Sequence, residues 1–172
     1  MTTIISGKYR GRRLYDYKNP KVRPTQAKVR KSMLQILEPF QDSCVLDLFA
    51  GIGTLGIEAI SRGAKSVTMV EKSSQAYRAL SQNVDDICKN DNYKLVHSDV
   101  FSFLEICENK FDIIIADPPY GLCEYYDLRA KIIPLLKTDG LFCMEMSKTK
   151  FIDDDVRIKN YGNTQVVFWR AN

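Results

Sequence analysis

From residue 44 onward the chain alternates short, continuous apolar runs with helix-like segments, and that alternation leaves few folds open. The runs cover 44–49, 66–71, 93–98, 111–116 and 141–146, and helical periodicity covers 53–62, 74–90, 100–105 and 126–136. A run such as Phe111-Asp112-Ile113-Ile114-Ile115-Ala116 does not alternate apolar with polar residues, so both faces of the strand are covered, as in a parallel sheet flanked by helices. Two later stretches, 156–161 and 165–170, joined by Gly162-Asn163-Thr164, read as an antiparallel hairpin. The expected architecture is α/β and Rossmann-like: a seven-stranded, mostly parallel sheet finished by that hairpin.

A chain of 172 residues with 45% hydrophobic content fits one such domain. No apolar run is long enough to span a membrane and the N-terminus lacks the apolar stretch of a secretion signal, so a cytoplasmic protein without membrane contact is expected. Five cysteines without a C-x-x-C pair read as reduced thiols, and His97 is the only histidine, so neither a metal site nor a histidine-based triad is expected.

The loop after the first strand, Asp47-Leu48-Phe49-Ala50-Gly51-Ile52-Gly53-Thr54-Leu55-Gly56, is rich in glycine where open α/β sheets bind cofactors. Gly51, Gly53 and Gly56 satisfy G-x-G-x-x-G, and Glu71 ends the second strand, so the loop alone fits a dinucleotide as well as any other adenosine cofactor. Three features separate them. Asp47 would repel a pyrophosphate but suits a cationic ligand such as S-adenosylmethionine. Asp99 and Val100 end the third strand, where they can meet an adenine. Asp117-Pro118-Pro119-Tyr120 ends the fourth. For each acid alone the plain reading is a helix N-cap or a solvated loop residue, but four acids at four successive strand ends point to a site.

Asp117-Pro118-Pro119-Tyr120 has the chemistry of a receptor for a planar amine. Each proline fixes φ and removes an N–H, leaving the carbonyls of Asp117 and Pro118 in a rigid loop. The Asp117 carboxylate can accept from an exocyclic NH2 and Tyr120 can stack on a flat base. The plain alternative is a turn that merely ends a strand.

Charge is divided very unevenly. Residues 1–31 hold ten Lys or Arg against Asp16 alone, a charge of +9, so the remainder carries −5 of the total of +4. With Tyr9, Tyr15 and Tyr17 among the cations, this segment reads as a nucleic-acid-binding arm, and Leu14 and Val22 make it apolar enough to pack. Residues 4–14 suggest a short hairpin, and Thr25 a cap for a helix over 26–37 with Val29, Met33, Ile36 and Leu37 inward. The expected division is a basic extension over 1–25 and a catalytic domain over 26–172.

With these residues assembled, the chain resembles the class I S-adenosylmethionine-dependent methyltransferases, and most closely the bacterial family that methylates guanine N2 in small-subunit (16S) rRNA. The resemblance rests on Gly7-Lys8-Tyr9-Arg10-Gly11-Arg12-Arg13, Arg23-Pro24-Thr25, Asp47-Leu48-Phe49-Ala50-Gly51, Asp117-Pro118-Pro119-Tyr120 and Tyr161-Gly162-Asn163-Thr164. It implies S-adenosylmethionine held by Asp47, Phe49, Gly51, Gly53, Glu71, Lys72, Asp99, Val100 and Asp117. Catalysis would fall to Asp117, Pro118 and Tyr120, and contact with 16S rRNA or an assembling subunit to Lys8, Arg10, Arg12, Arg13, Arg23 and Thr25 of a monomer. The acidic run Asp153-Asp154-Asp155 and the short loop after Tyr120 depart from the pattern. Rival readings are an NAD-dependent oxidoreductase, a non-catalytic RNA-binding protein and, among methyltransferases, an adenine-N6 or DNA substrate.

Overall fold

The structure is a computed structural model that describes residues 2–16, 27–150 and 155–171. Its elements in chain order are α1 (Ala27–Leu37), β1 (Cys44–Leu48), α2 (Thr54–Ser61), β2 (Ser66–Glu71), α3 (Ser74–Ile87), β3 (Tyr93–His97), α4 (Val100–Ile106), β4 (Phe111–Ala116), α5 (Tyr125–Ile132), β5 (Leu136–Ser147), β6 (Val156–Tyr161) and β7 (Thr164–Arg170). The strands form one seven-stranded sheet in the order β3-β2-β1-β4-β5-β7-β6. The first five are parallel, and β7 runs antiparallel between β5 and β6.

Successive strand residues point to opposite faces, and here both faces are apolar. Val45, Ile113, Ile115 and Cys143 pack with Met33, Leu34, Ile57 and Leu80 on one side. Leu46, Ile114, Phe142 and Met144 pack with Phe103, Leu104, Tyr125 and Leu128 on the other. The runs in β1, β4 and β5 are therefore strands covered on both sides, whereas β3, at the sheet edge, is only half-buried.

Two boundaries differ from the sequence expectation. Helix α5 gives way to a 3-10 turn, Ile133–Leu135, because Pro134 cannot continue the α-helical bonding. Strand β5 then begins at Leu136, five residues early. Leu136 pairs with Phe111, and the register shifts before Ile113 meets Leu141, around Asp139 at φ 60° and Gly140.

The N-terminal hairpin is reduced to a single antiparallel bridge, Thr3 with Arg13, supported by Ile4 N–H to the Arg12 carbonyl (2.9 Å) and Leu14 N–H to the Thr2 carbonyl (2.9 Å). The loop between lies flat on α2. Lys8 N–H donates to the Ser61 carbonyl (2.8 Å) and Tyr9 N–H to Ser61 Oγ (2.9 Å). A Cβ on Gly7, at φ 80°, would stand 1.8 Å from the Ser61 carbonyl oxygen, so close approach requires glycine there. Ile4 and Leu14 are buried in the same core cluster as Met33 and Leu34. Asn83 of α3 closes the far end: it accepts from Tyr15 N–H (2.6 Å) and donates to the carbonyls of Tyr15 (3.0 Å) and Ile52 (2.9 Å). The described part of the arm is thus packed against the body. Tyr17, Val22, Arg23, Pro24, Thr25 and the expected helix cap lie outside the described residues, as do Asp153 and Asp154.

Candidate active site

The order β3-β2-β1-β4 brings the carboxyl ends of four parallel strands side by side, and with them Asp99, Glu71, Asp47 and Asp117. Two of these acids brace the glycine loop. Asp47 Oδ2 accepts from Gly56 N–H (2.8 Å), and Glu71 accepts from Gly51 N–H through Oε2 (2.8 Å) and from Ser73 N–H through Oε1 (2.6 Å). The loop turns through three left-handed residues, Phe49 (φ 62°), Gly51 (φ 58°) and Gly53 (φ 88°). Phe49 is the strained one, since a side chain disfavours that region. A Cβ at Gly51 would meet no atom of the described residues within 4 Å, whereas a Cβ at Gly56 would stand 2.4 Å from Met69 Sδ.

Asp47 requires a correction. The sequence expectation is direct cofactor contact, but the Asp47 side chain is fully buried. Its Oδ1 has no hydrogen-bond partner among the described residues. Burial pushes its carboxyl up to about 8, and the nearby Asp117 and Glu71 add to the effect against the Gly56 hydrogen bond. Asp47 therefore braces the start of α2 from within the protein through Gly56, with one oxygen left without a partner among the described residues.

Because the folded-state carboxyl sits above its unfolded value, its contribution to stability is fully present at acid pH and is lost as pH rises toward about 8. Asp47→Asn keeps an oxygen for Gly56 and removes the titration. Its stability relative to the parent, measured by urea unfolding, should climb between pH 5 and pH 8 by roughly 1 kcal/mol per pH unit. A difference independent of pH would contradict the buried-acid assignment.

Asp99 is an N-cap as well as a strand-end acid. Its Oδ1 accepts from the N–H groups of Phe101 (3.0 Å) and Ser102 (3.3 Å), while Oδ2 pairs with Lys72 Nζ (3.0 Å). The Lys72 hydrogen bond holds the Asp99 carboxyl below its ordinary value. Lys72 is thus committed to Asp99. Val100 also departs from expectation: its side chain is buried in the core, so it is not a free platform for a ring. At the start of α4 its N–H lacks an intrahelical acceptor.

Beyond β4, Pro118 is buried while Tyr120 is 55% exposed. Leu122 N–H closes the turn onto the Pro119 carbonyl (3.1 Å), with Gly121 at φ 76°. The Tyr120 hydroxyl lies 2.8 Å from Thr164 Oγ1, which fixes the ring against the β6–β7 turn. The sequence reading missed Thr164 and Asn83 as supports. Asn83 had a signal: it stands in the apolar stripe Ala76, Ala79, Leu80, Val84 and Ile87, where a polar residue needs a partner. In the arm, Lys8 pairs with Asp91, whose Oδ2 also accepts from the Tyr9 hydroxyl (2.6 Å), and Arg12 donates to the Asp86 carbonyl (2.7 Å). Arg10 and Arg13 are exposed. Among the described residues no His, Cys, Asp and Glu cluster could hold a metal ion, and no helix is long and apolar enough to cross a membrane.

Residues 2–170 match the family described as Conserved hypothetical protein 95. The chain belongs to that family. Among its relatives it is 33% identical to ribosomal RNA small subunit methyltransferase D of Haemophilus influenzae, over 86% of this chain and 79% of the relative. It is 38% identical to the protein of the same name from Escherichia coli K12, over 80% of this chain and 67% of the relative. The solved structure of yhhF from Escherichia coli superposes with a TM-score of 0.86 at 28% identity, covering 99% of this chain and 98% of the other. An RNA methyltransferase from Salinibacter ruber, solved with S-adenosyl-L-homocysteine, shares the fold at a TM-score of 0.67 and 17% identity, over 86% of this chain and 92% of the other. The resemblance to small-subunit rRNA methyltransferases holds for this family member, and its sheet is the Rossmann-like sheet of the class I methyltransferases.

Proposed function

We propose that the chain transfers a methyl group from S-adenosylmethionine to the exocyclic N2 of a guanine in small-subunit rRNA. The observation that carries this reading is that the acid-braced glycine loop and Asp117-Pro118-Pro119-Tyr120 open on the same sheet edge. The relatives' activity on small-subunit rRNA supports the substrate class.

The residues divide into two groups. Glu71 keeps lone pairs beyond those used by Gly51 and Ser73, and these accept the ribose hydroxyls. The loop backbone from Asp47 to Gly53 holds the methionine end, and Asp99 with the Val100 N–H meets the adenine. When bound, S-adenosylmethionine supplies a methyl group activated by a cationic sulfur. Asp117 and the Pro118 carbonyl accept the two N–H bonds of the guanine amine, and Tyr120 stacks on the flipped base. The N2 lone pair is delocalised into the ring, so orientation matters more than a strong base, and Asp117 takes the proton as the amine becomes cationic.

The test is transfer of labelled methyl from S-adenosylmethionine to rRNA from cells lacking the protein. Label in small-subunit rRNA supports the reading, and label only in large-subunit rRNA or in no RNA contradicts it.

The arm serves the RNA in this reading, but its cations are not equivalent. Lys8 and Arg12 also hold the arm to the body, whereas Arg10 and Arg13 project from it. Changing Arg10 and Arg13 together to Ala should flatten the salt dependence of rRNA affinity by up to about 0.7 to 0.9 log units per lost phosphate contact and leave urea stability unchanged. An unaltered affinity and salt slope would make the arm a packing element only.

A further inference from the structure

A second concave feature shares this sheet edge. Ser147, the last residue of β5, pairs with Thr164, so the β6–β7 turn reaches the same edge as the loop after β4. Between that turn and the first turn of α1 runs a groove of about 390 Å3, lined by Lys28, Val29, Asn160, Tyr161, Asn163 and Thr164. Its volume lies within the range of about 300 to 1,000 Å3 typical of small-ligand sites. The walls are tied in place. The Tyr161 hydroxyl bonds to Ser32 Oγ on α1, and Lys148 N–H donates to the Asn163 carbonyl (2.9 Å).

The lining has a definite chemistry. Among the described residues its lining contains no carboxylate, although the chain beyond residue 31 carries −5. The ammonium of Lys28 is exposed and takes part in none of the ion pairs among the described residues. Asn160 and Asn163 offer carboxamides that both donate and accept, and Tyr161 offers part of a ring. Among the described residues, one cation, two amides and a hydroxyl without an acid suit a phosphate attached to a polar, hydroxyl-bearing group. Thr164 is shared with the active site through its 2.8 Å contact to the Tyr120 hydroxyl, so whatever fills the groove lies one side chain from the ring assigned to the target base.

We propose that this groove holds the ribose-phosphate of a nucleotide neighbouring the target base in the RNA chain, with Lys28 on the phosphate and Asn163 on the ribose. The proposal rests on the RNA methyltransferase reading. It adds a subsite that fixes which part of the strand lies beside Tyr120, and so contributes to the choice of target. Val29 and Tyr161 shape the groove, while Lys28 supplies its charge.

The experiment uses an RNA stem-loop spanning whichever nucleotide the parent methylates in rRNA. It is prepared native and with a single uncharged methylphosphonate at each of the three linkages on either side. Binding to the parent and to Lys28→Ala, both saturated with S-adenosylhomocysteine, is measured by filter retention. Lys28→Ala should weaken binding of the native RNA by about tenfold, the scale of one charge-assisted contact, and Lys28→Arg should restore most of it. At one linkage the methylphosphonate should cost the parent a similar factor and cost Lys28→Ala nothing further, the non-additivity of a direct pair. Native-like binding by Lys28→Ala, or equal losses for both proteins at every linkage, overturns the groove assignment. A methylated base other than guanine overturns the guanine reading while the Lys28 comparison still decides the groove. A parent that binds and methylates no RNA overturns both.

Discussion

Asp117→Ala should bind S-adenosylmethionine within a few-fold of the parent yet transfer methyl about 100-fold or more slowly, the scale of one lost positioning or proton-accepting group. The expectation follows from where Asp117 stands. It directly follows β4, whose pairing with β1 and β5 leaves the strand end little freedom, and the buried Pro118 holds the chain beyond it. Truncating Asp117 removes the acceptor proposed for the base amine without touching the bonds Glu71 and Asp47 make to the glycine loop. It also removes one of the charges that raise the Asp47 carboxyl, so loss of fold is not the expected cause of lost turnover. Asp117→Asn should be milder, since its amide oxygen still accepts from the amine. Calorimetry beside single-turnover kinetics makes the distinction. If binding and turnover fell together, Asp117 would belong mainly to the cofactor site.

Glu71→Ala should produce the opposite pattern, a loss of S-adenosylmethionine affinity of about 30-fold or more, equivalent to roughly 2 kcal/mol for hydrogen bonds to a charged acceptor. Glu71 does two things at once. It accepts from the N–H groups of Gly51 and Ser73, so its removal loosens the loop as well as removing the proposed ribose contact. Glu71→Gln separates these roles, because one oxygen remains for a backbone donor while the carboxylate's capacity to accept from both ribose hydroxyls is gone. Glu71→Gln should therefore fall between the parent and Glu71→Ala, and none of the three should bind NADH. Parent-like affinity in Glu71→Ala would remove the ribose assignment.

The sheet was legible because its signal is periodic and repeated. Ile113, Ile114 and Ile115 in succession can be buried only if both faces are covered, and the structure covers both. The place of the candidate site was legible because strand ends carry the four acids, and topology brings those ends together. What sequence could not show is which side of a loop a side chain takes. Asp47 and Glu71 flank the same loop, yet only Asp47 is fully buried, a difference set by the packing of α2 against β1 and β2. Val100 was misjudged for the same reason: at a strand end it looks available, but the turn into α4 directs it into the core. The contact between Tyr120 and Thr164 spans 44 residues and depends on how β7 registers against β5, which no local pattern encodes. The early start of β5 depends on a register shift of the same kind.

The central claim is that the amine placed before Asp117 is the N2 of a guanine in small-subunit rRNA. Incubating the parent protein with labelled S-adenosylmethionine and rRNA from cells lacking it, then digesting to nucleosides and separating them, tests that claim directly. The account predicts label in N2-methylguanosine from small-subunit rRNA, and none with Asp117→Ala over the same interval. Label in N6-methyladenosine would contradict it.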